Sequence, residues 1–360
     1  MRQNNIATKV FAVAVGVAMV GALAACGTST QTDETSTQTD ETSTQNDGTG
    51  VEVGTWPDGA FEFVIPTAAG GGLDTTFRQL QPFLEAELGQ PIAVEYRAGG
   101  QFAIGTTYVA KNGADCQPFM FHAIPDVIFS YLTKDVEYTY YDFYPIAGMT
   151  TEPSTLWVAD GAPWATIQEF VDDAAARPGE IRISVSNLTS ADHLAALRLE
   201  EQTGVDFNIV SYDGGGPARN AVVSGEVEAA MGGVFASQKI ASSARALTVF
   251  QDVNIWGDLT DNAPAVNDAL GTDIPNIGGR YGIFVTRECK DVYPERFDIL
   301  SNAVAAAMKS EGYLAALGKI NEQDKVAYAD PDEFHAFIEG EIKAIEAQIE
   351  QSPELFGVSG

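Results

Sequence analysis

The chain has 360 residues, 45% of them hydrophobic, and carries 50 Asp and Glu against 20 Lys and Arg, for a formal net charge of −30. That charge makes nucleic acid and anionic lipid poor partners, and beyond the N-terminal region no apolar run is long enough to span a bilayer. An anionic ligand would have to be held by local amides and a few cations, because the summed field repels it beyond a screening length of about 8 Å.

The chain opens with Arg2 and Lys9, an apolar run from Val10 through Leu23, and then Leu23-Ala24-Ala25-Cys26. A positive start, a short apolar core and small residues before a cut site describe an export signal over residues 1–25. A cysteine directly after Leu-Ala-Ala resembles the bacterial lipoprotein signal, which implies lipidation of Cys26 as the first mature residue. TSTQTDE then occurs twice, at Thr28 to Glu34 and Thr35 to Glu41, followed by the related TSTQNDG. This repeat has no apolar residue to bury, so residues 26–55 are expected to form a solvated tether. A membrane contact through the lipid alone follows, and the body is expected to be a monomer.

The body begins with the apolar run FEFVI, which stops at Pro66 and opens into Thr67-Ala68-Ala69-Gly70-Gly71-Gly72 before a helical stretch over Thr75 to Leu88. Glycines admit positive φ and close approach to the main chain, and the first amides of the following helix lack internal partners, so the loop suggests an anion cradle. An ordinary strand-to-helix turn is the alternative. The loop is not a nucleotide loop, since no Lys-Ser, Lys-Thr or GxGxxG spacing accompanies the glycines.

The same unit recurs. A strand over Pro91 to Tyr96 breaks into Arg97-Ala98-Gly99-Gly100-Gln101, a helix covers Ile104 to Lys111, and a strand covers Phe119 to Ile124. A second set places strands at Thr155 to Ala159, Ile181 to Val185 and Asn208 to Tyr212, helices at Thr166 to Ala176 and Ala191 to Gln202, and loops at Ser186 to Ser190 and Asp213 to Pro217. Strands then follow at Ala246 to Phe250 and Tyr281 to Thr286, with helices over Arg296 to Leu317 and Asp332 to Gln351. Alternation of this kind predicts a parallel α/β sheet with ligands at the carboxyl ends of strands. Residues 56–150 with 245–360 are expected to form one lobe and 151–244 the other, facing each other across a hinged cleft.

These loops, in this order, resemble those of the extracytoplasmic solute-binding receptors of the tripartite tricarboxylate transporter family. Pro66, Ala68, Ala69, Gly70, Gly71, Asp74 and Arg78 match the first ligand loop, and Tyr96 through Gly105 is similar to the second. Ser190-Ala191-Asp192-His193-Leu194 resembles the family's Ser-x-x-His-Leu helix start, and Tyr212 through Ala230 its most diagnostic run. The resemblance covers residues 57 to 360 and implies a type II periplasmic-binding-protein fold that closes on a small di- or tricarboxylate and delivers it to integral membrane transporter subunits. It implies a ligand set of Thr67, Ala68, Gly70, Gly71, Gly72, Asp74, Gly99, Gly100, Gln101, Phe102, Ser186, Asn187, Ser190, His193, Tyr212, Gly214 and Gly215. The chain departs from the family pattern at Gln101 and Phe102, which stand where Gly-Gly is common, and it has no Asp or Asn near Gly232 or Gly233. The latter departure is expected to remove a polar group from the cleft floor. A sensory or scaffold lipoprotein presenting ligand to a receptor partner is the alternative use of the same fold.

No enzyme is expected. Ser190, Asp192 and His193 lie too close along one helix start to converge as a catalytic triad, and they read instead as a helix cap with His193 bracing the loop. His122, His193 and His335 lack metal-ligand spacing, so neither a metal nor another cofactor is anticipated. Asp74 reads as a helix-start residue that shapes its loop. Cys116 and Cys289 remain as an even pair in an exported chain, either bridged or separately buried.

Overall fold

The computed structural model describes residues 56–351 and 353; the expected signal segment, Cys26 and the tether lie outside the described residues. Strand β1 (Phe61–Ile65) runs parallel to β2 (Ile92–Tyr96) and β3 (Phe119–Ile124), reached through helices α1 (Gly72–Leu88) and α2 (Ala103–Asn112). α1 buries Leu73, Phe77, Leu80 and Leu84, the stripe expected of a helix lying on a sheet, and Phe77 stacks on Phe63 of β1 at 3.8 Å between ring centroids. Gly89 ends the helix at φ 65°.

Beyond β3 the chain forms α3 (Asp126–Thr133) and the 17-residue β4 (Phe143–Ala159). The sequence pattern indicates only the last five residues of β4, because Pro145, Gly148 and Pro153 interrupt the rest. Register shifts at Pro145/Ala147 and Gly148/Thr150 absorb two of those interruptions as bulges. Next come α4 (Ile167–Ala176), β5 (Arg182–Val185), α5 (Ala191–Thr203), β6 (Asn208–Ser211), α6 (Gly215–Ser224), β7 (Ala229–Gly233), β8 (Ala244–Val249), β9 (Gly278–Thr286) and β10 (Val326–Ala329). Helices Pro294–Lys309 and Glu311–Gly318 replace the single helix expected from Arg296 to Leu317. Ser310 separates them with extended backbone, and its hydroxyl caps the second by accepting from the Tyr313 amide.

The sheet order is β2-β1-β3-β9-β4-β7-β5-β6, with β8 and β10 also paired to β4. The expected parallel arrangement holds within β2-β1-β3 and β7-β5-β6, whereas β9 and β4 pair antiparallel with their neighbours. The sheet is therefore mixed: β4 and β9 come from distant parts of the chain, and each runs against its neighbours. β4 passes from pairing with β9, up to Pro153, to pairing with β7 and β8 from Ser154 onward.

Hydrophobic packing follows that division. Phe63, Phe77, Phe121, Ile283 and Leu300 belong to one core, and Leu156, Phe170, Ile183, Leu199 and Met231 to another. The sequence pattern returns the chain to the first lobe at residue 245, while Leu247, Phe250, Val266, Ile274 and Ile277 pack in the second core. The return strand starts at Gly278, and the preceding Ile277 carbonyl accepts from the Ser154 amide at 3.0 Å, so the two passages between the cores lie side by side. Cys116 and Cys289 are joined, with Sγ–Sγ 2.04 Å, inside the first core.

Candidate functional site

The loop after β1 is shaped by Asp74. Its carboxylate accepts from the Gly70 amide at 2.7 Å, the Tyr96 hydroxyl at 2.7 Å and Arg78 Nε at 3.2 Å. The acid thus fixes the curve of the loop while Gly71 precedes α1 with no side-chain cap, leaving amides of the first helical turn for another acceptor. In the second loop Gly99, Gly100, Gln101 and Phe102 all have positive φ, at 111°, 60°, 55° and 74°. Glycine adopts that backbone freely, whereas Gln101 and Phe102 are strained there by roughly 1 kcal/mol each. The Phe102 ring is buried edge-on to His122, with centroids 5.1 Å apart, and it lines the cavity as well.

From the other side, Asn187 Oδ1 accepts from the amide and hydroxyl of Thr189, each at 2.8 Å, and the Ser190 hydroxyl donates to Asn187 O while accepting from the His193 amide. Ser190 is the N-cap of α5, and His193 Nδ1 donates to Leu188 O at 2.9 Å, holding the loop from outside the cleft. Gly214, at φ 122°, donates to Ser186 O and opens α6, which also lacks a side-chain cap. Tyr212 turns away, its hydroxyl donating to Glu226.

The two sides meet. The Ala68 amide donates to Asp213 O at 3.2 Å, Arg219 Nη2 donates to Gly70 O at 3.2 Å, and a Cβ at Gly216 would lie 3.0 Å from the Gly70 carbonyl carbon. Glycine is needed on this seam because the backbones approach without room for side chains. Beneath it lies a small cavity of about 50 Å³ that opens toward solvent. Of the expected ligand residues, Thr67, Gly72, Phe102, Ser186, Ser190 and Gly215 line it. Gly99, Gln101, Asn187 and Gly214 line an adjoining recess that shares Thr67 and Phe102. Ala68, Gly70, Gly71, Asp74, Gly100, His193 and Tyr212 line neither space.

The cavity also contains groups outside the expected ligand set, namely Asp126, Glu152, Asp192, Arg219 and Tyr281; of these the sequence reading had named only Asp192, as part of the helix start. Asp126 sits just past the carboxyl end of β3, the one position among these that the strand-end rule points to. Burial, reinforced by the Asp192 charge, pushes the Asp126 carboxyl from 3.8 up to about 8, against hydrogen bonds from amides including Ala191. Burial likewise raises Asp192, whose oxygens accept from Ser154 and Ser186. Burial lifts Glu152 to about 7, against the amides of Ala236 and Phe235 and the charges of Lys325 and Arg219. Arg219 is lowered by burial, with Glu152 and Asp192 acting the other way, and the Tyr281 hydroxyl is driven well above its ordinary value by burial and the neighbouring acids. Thr67 Oγ1 has no hydrogen-bond partner among the described residues.

The expectation of a bare floor near Gly233 is overturned. A Cβ at Gly233 would fall 2.0 Å from Glu152 Oε1, so the Glu152 carboxyl occupies the space a side chain at 233 would take. Polarity at the floor is supplied from β4 instead of β7.

Known proteins resemble the chain in sequence and in fold. The chain is 26% identical over 298 residues to BugT of Bordetella pertussis, covering 81% of this chain and 89% of that protein. Two solved structures share its fold: R. palustris Rpa4515 with adipate, at TM-score 0.74 and 24% identity over 84% of this chain and 99% of that one, and MatC from Rhodopseudomonas palustris with bound malate, at 0.71 and 21% over 80% and 98%. The family model described as tripartite tricarboxylate transporter family receptor matches residues 76–352. With its glycine loops meeting over one buried cavity, this chain belongs to the tripartite tricarboxylate transporter receptor family, a family of solute-binding receptors.

Proposed function

We propose that this protein is a lipid-anchored extracytoplasmic receptor that closes two lobes over a small carboxylate and delivers it to the membrane subunits of a tripartite tricarboxylate-type transporter. The observation that carries the reading is the convergence of α1 and α6, both opening on glycine without a side-chain cap, on the cavity that holds Arg219. Free amides at two helix starts and a buried guanidinium suit a carboxylate, and exclusion of water strengthens each contact. The adipate and malate of the two structural neighbours are ligands of that class.

Closure would bend the chain where its two passages between cores run side by side, at Pro153/Ser154 and Ile277/Gly278. The lipid at Cys26 and the following tether would keep the receptor near its transporter. Among the described residues no helix is long and apolar enough to cross a membrane.

A thermal-shift panel of mono-, di- and tricarboxylates at millimolar concentration tests the reading. A rise in melting temperature with at least one is expected, and a flat response across the panel would sink it. Globomycin-sensitive processing and loss of membrane association in Cys26→Ser test the anchor separately.

A further inference from the structure

Resting on the reading of two lobes that close, we infer that Asp126 is a positioning residue for ligand capture: from the first lobe its carboxyl caps helix α5 of the second, and this bond across the cleft sets how firmly the lobes stay together. Asp126 opens α3, whose next residues, Val127 and Ile128, pack with Val64 and Phe284 on the first-lobe side. Ala191 opens α5 and packs with Ile183, Leu199 and Met231 in the second core. The Ala191 amide donates to Asp126 Oδ1 at 3.1 Å, joining residues 65 positions apart that belong to different lobes.

A helix start leaves its first amides without internal partners. In α5 the Leu194 amide makes the first intrahelical bond, to Ser190 O, so the amides of Ala191, Asp192 and His193 need acceptors from elsewhere. Ser190 Oγ accepts from His193 inside the second lobe, whereas Asp126 accepts from Ala191 across the cleft. The cap is thus divided between the lobes, and separating them breaks the half that Asp126 supplies. The acid suits that place, because it lies in the first turn of its own helix and against the first amide of another, where both dipoles favour an oxygen acceptor.

The surroundings make the bond count. Asp126 is 7% and Ala191 5% exposed, and Leu194, one turn into α5, packs against the second core and against the cluster that contains Val127 and Ile128. Excluding water strengthens the hydrogen bond and raises the cost of leaving either partner unmade. The seam at Gly70 is a separate fastening built by other elements, through Ala68 to Asp213 O and Arg219 to Gly70 O. Lobes fastened at both places part only when both sets of bonds break. Weakening the Asp126 cap therefore lowers the population of the closed form and is felt at Ala68, and ligand affinity falls by the same fraction.

Hydrogen exchange of the full chain, read by mass spectrometry over residues 67–72 and 187–194, tests the inference. Asp126→Ala removes the acceptor, and Ala191→Pro removes the donor at a helix position that tolerates proline. Both are expected to speed exchange over 67–72 about tenfold, although that segment belongs to the other fastening. Asp126→Asn, whose side-chain oxygen can still accept, is expected to keep the exchange of the unaltered protein. Urea unfolding of each variant separates lobe opening from a global loss of stability. Faster exchange confined to 187–194, unchanged exchange over 67–72 in either folded variant, or equal acceleration in Asp126→Asn overturns the inference. Arg219→Met, which releases the Gly70 seam, tests the underlying reading. If it speeds exchange in both segments while the Asp126 and Ala191 variants do not, the inference falls and the closing reading stands; if no variant alters the two segments together, both fall.

Discussion

The Glu152 carboxyl lies in the space above Gly233: Oε1 accepts from the amides of Phe235 and Ala236 at 2.8 and 3.1 Å, and a Cβ on residue 233 would sit 2.0 Å from it. Each residue makes the other possible. Gly233→Ala is expected to displace the acid or distort β7, lowering stability in urea unfolding by about 2 kcal/mol, the usual range for overpacking a rigid site. Ligand-induced thermal shift should disappear with it, and a variant as stable as the parent would show that Glu152 moves freely.

Thr67 sets function against stability. Its buried Oγ1 lacks a partner among the described residues, so Thr67→Val removes an unsatisfied polar atom with little change of shape. The ligand-free variant should be more stable by about 1 kcal/mol, and ligand affinity should fall about tenfold or more. Chemical denaturation and calorimetric titration read the two effects, and tighter binding in the variant would exclude Thr67 from the ligand shell.

Gln101 holds φ at 55°, and its Oε1 is buried without a partner among the described residues. Gln101→Gly relieves both, and a gain of about 1 kcal/mol in unfolding free energy is expected. Were the variant less stable, the side chain would have packing value that exceeds its strain.

The buried acids predict an uncommon pH response. Asp126 is pushed from 3.8 up to about 8 and Glu152 from 4.5 up to about 7. Between pH 6.5 and 8 the unfolded chain has both groups ionised while the folded protein still holds protons, so stability falls as pH rises through this window. Buried His122, held down at about 4 from 6.5, opposes the trend, as do His193 and His335, also lowered by burial, but this effect fades within about one unit above pH 6.5. Ligand-free protein should therefore melt higher at pH 6.5 than at pH 8, and Asp126→Asn should flatten the difference. A melting temperature that climbs over the same interval would contradict the protonated state of these acids.

The Cys116–Cys289 bridge joins the loop before β3 to the helix after β9, across 173 residues of chain. Replacing both cysteines by serine is expected to lower stability by about 3 kcal/mol or more, since the closed loop is long. Urea unfolding of the double variant under non-reducing conditions checks the value.

Local chemistry in the sequence was enough to determine the first three strands, the helices between them and the glycine loops that border the cavity. Apolar runs that stop at Pro66 or break at Gly99 and Gly214 carry that information within a few residues. The cap at Ser190 and the loop-shaping part of Asp74 were equally legible, because their partners, His193 N and Gly70 N, are near neighbours in the chain. The long β4 was hidden by its prolines, whose tolerance depends on bulges against β9.

Tertiary structure alone decided the electrostatics of the cavity. Asp126, Glu152, Asp192 and Arg219 come from α3, β4, α5 and α6, and each taken alone reads as an ordinary polar residue. Their altered proton affinities arise from desolvation and mutual charge, which exist only once the sheet brings those elements together. For the same reason a missing side chain at Gly233 looked like lost polarity, although the fold restores it with an acid 81 residues earlier in the chain.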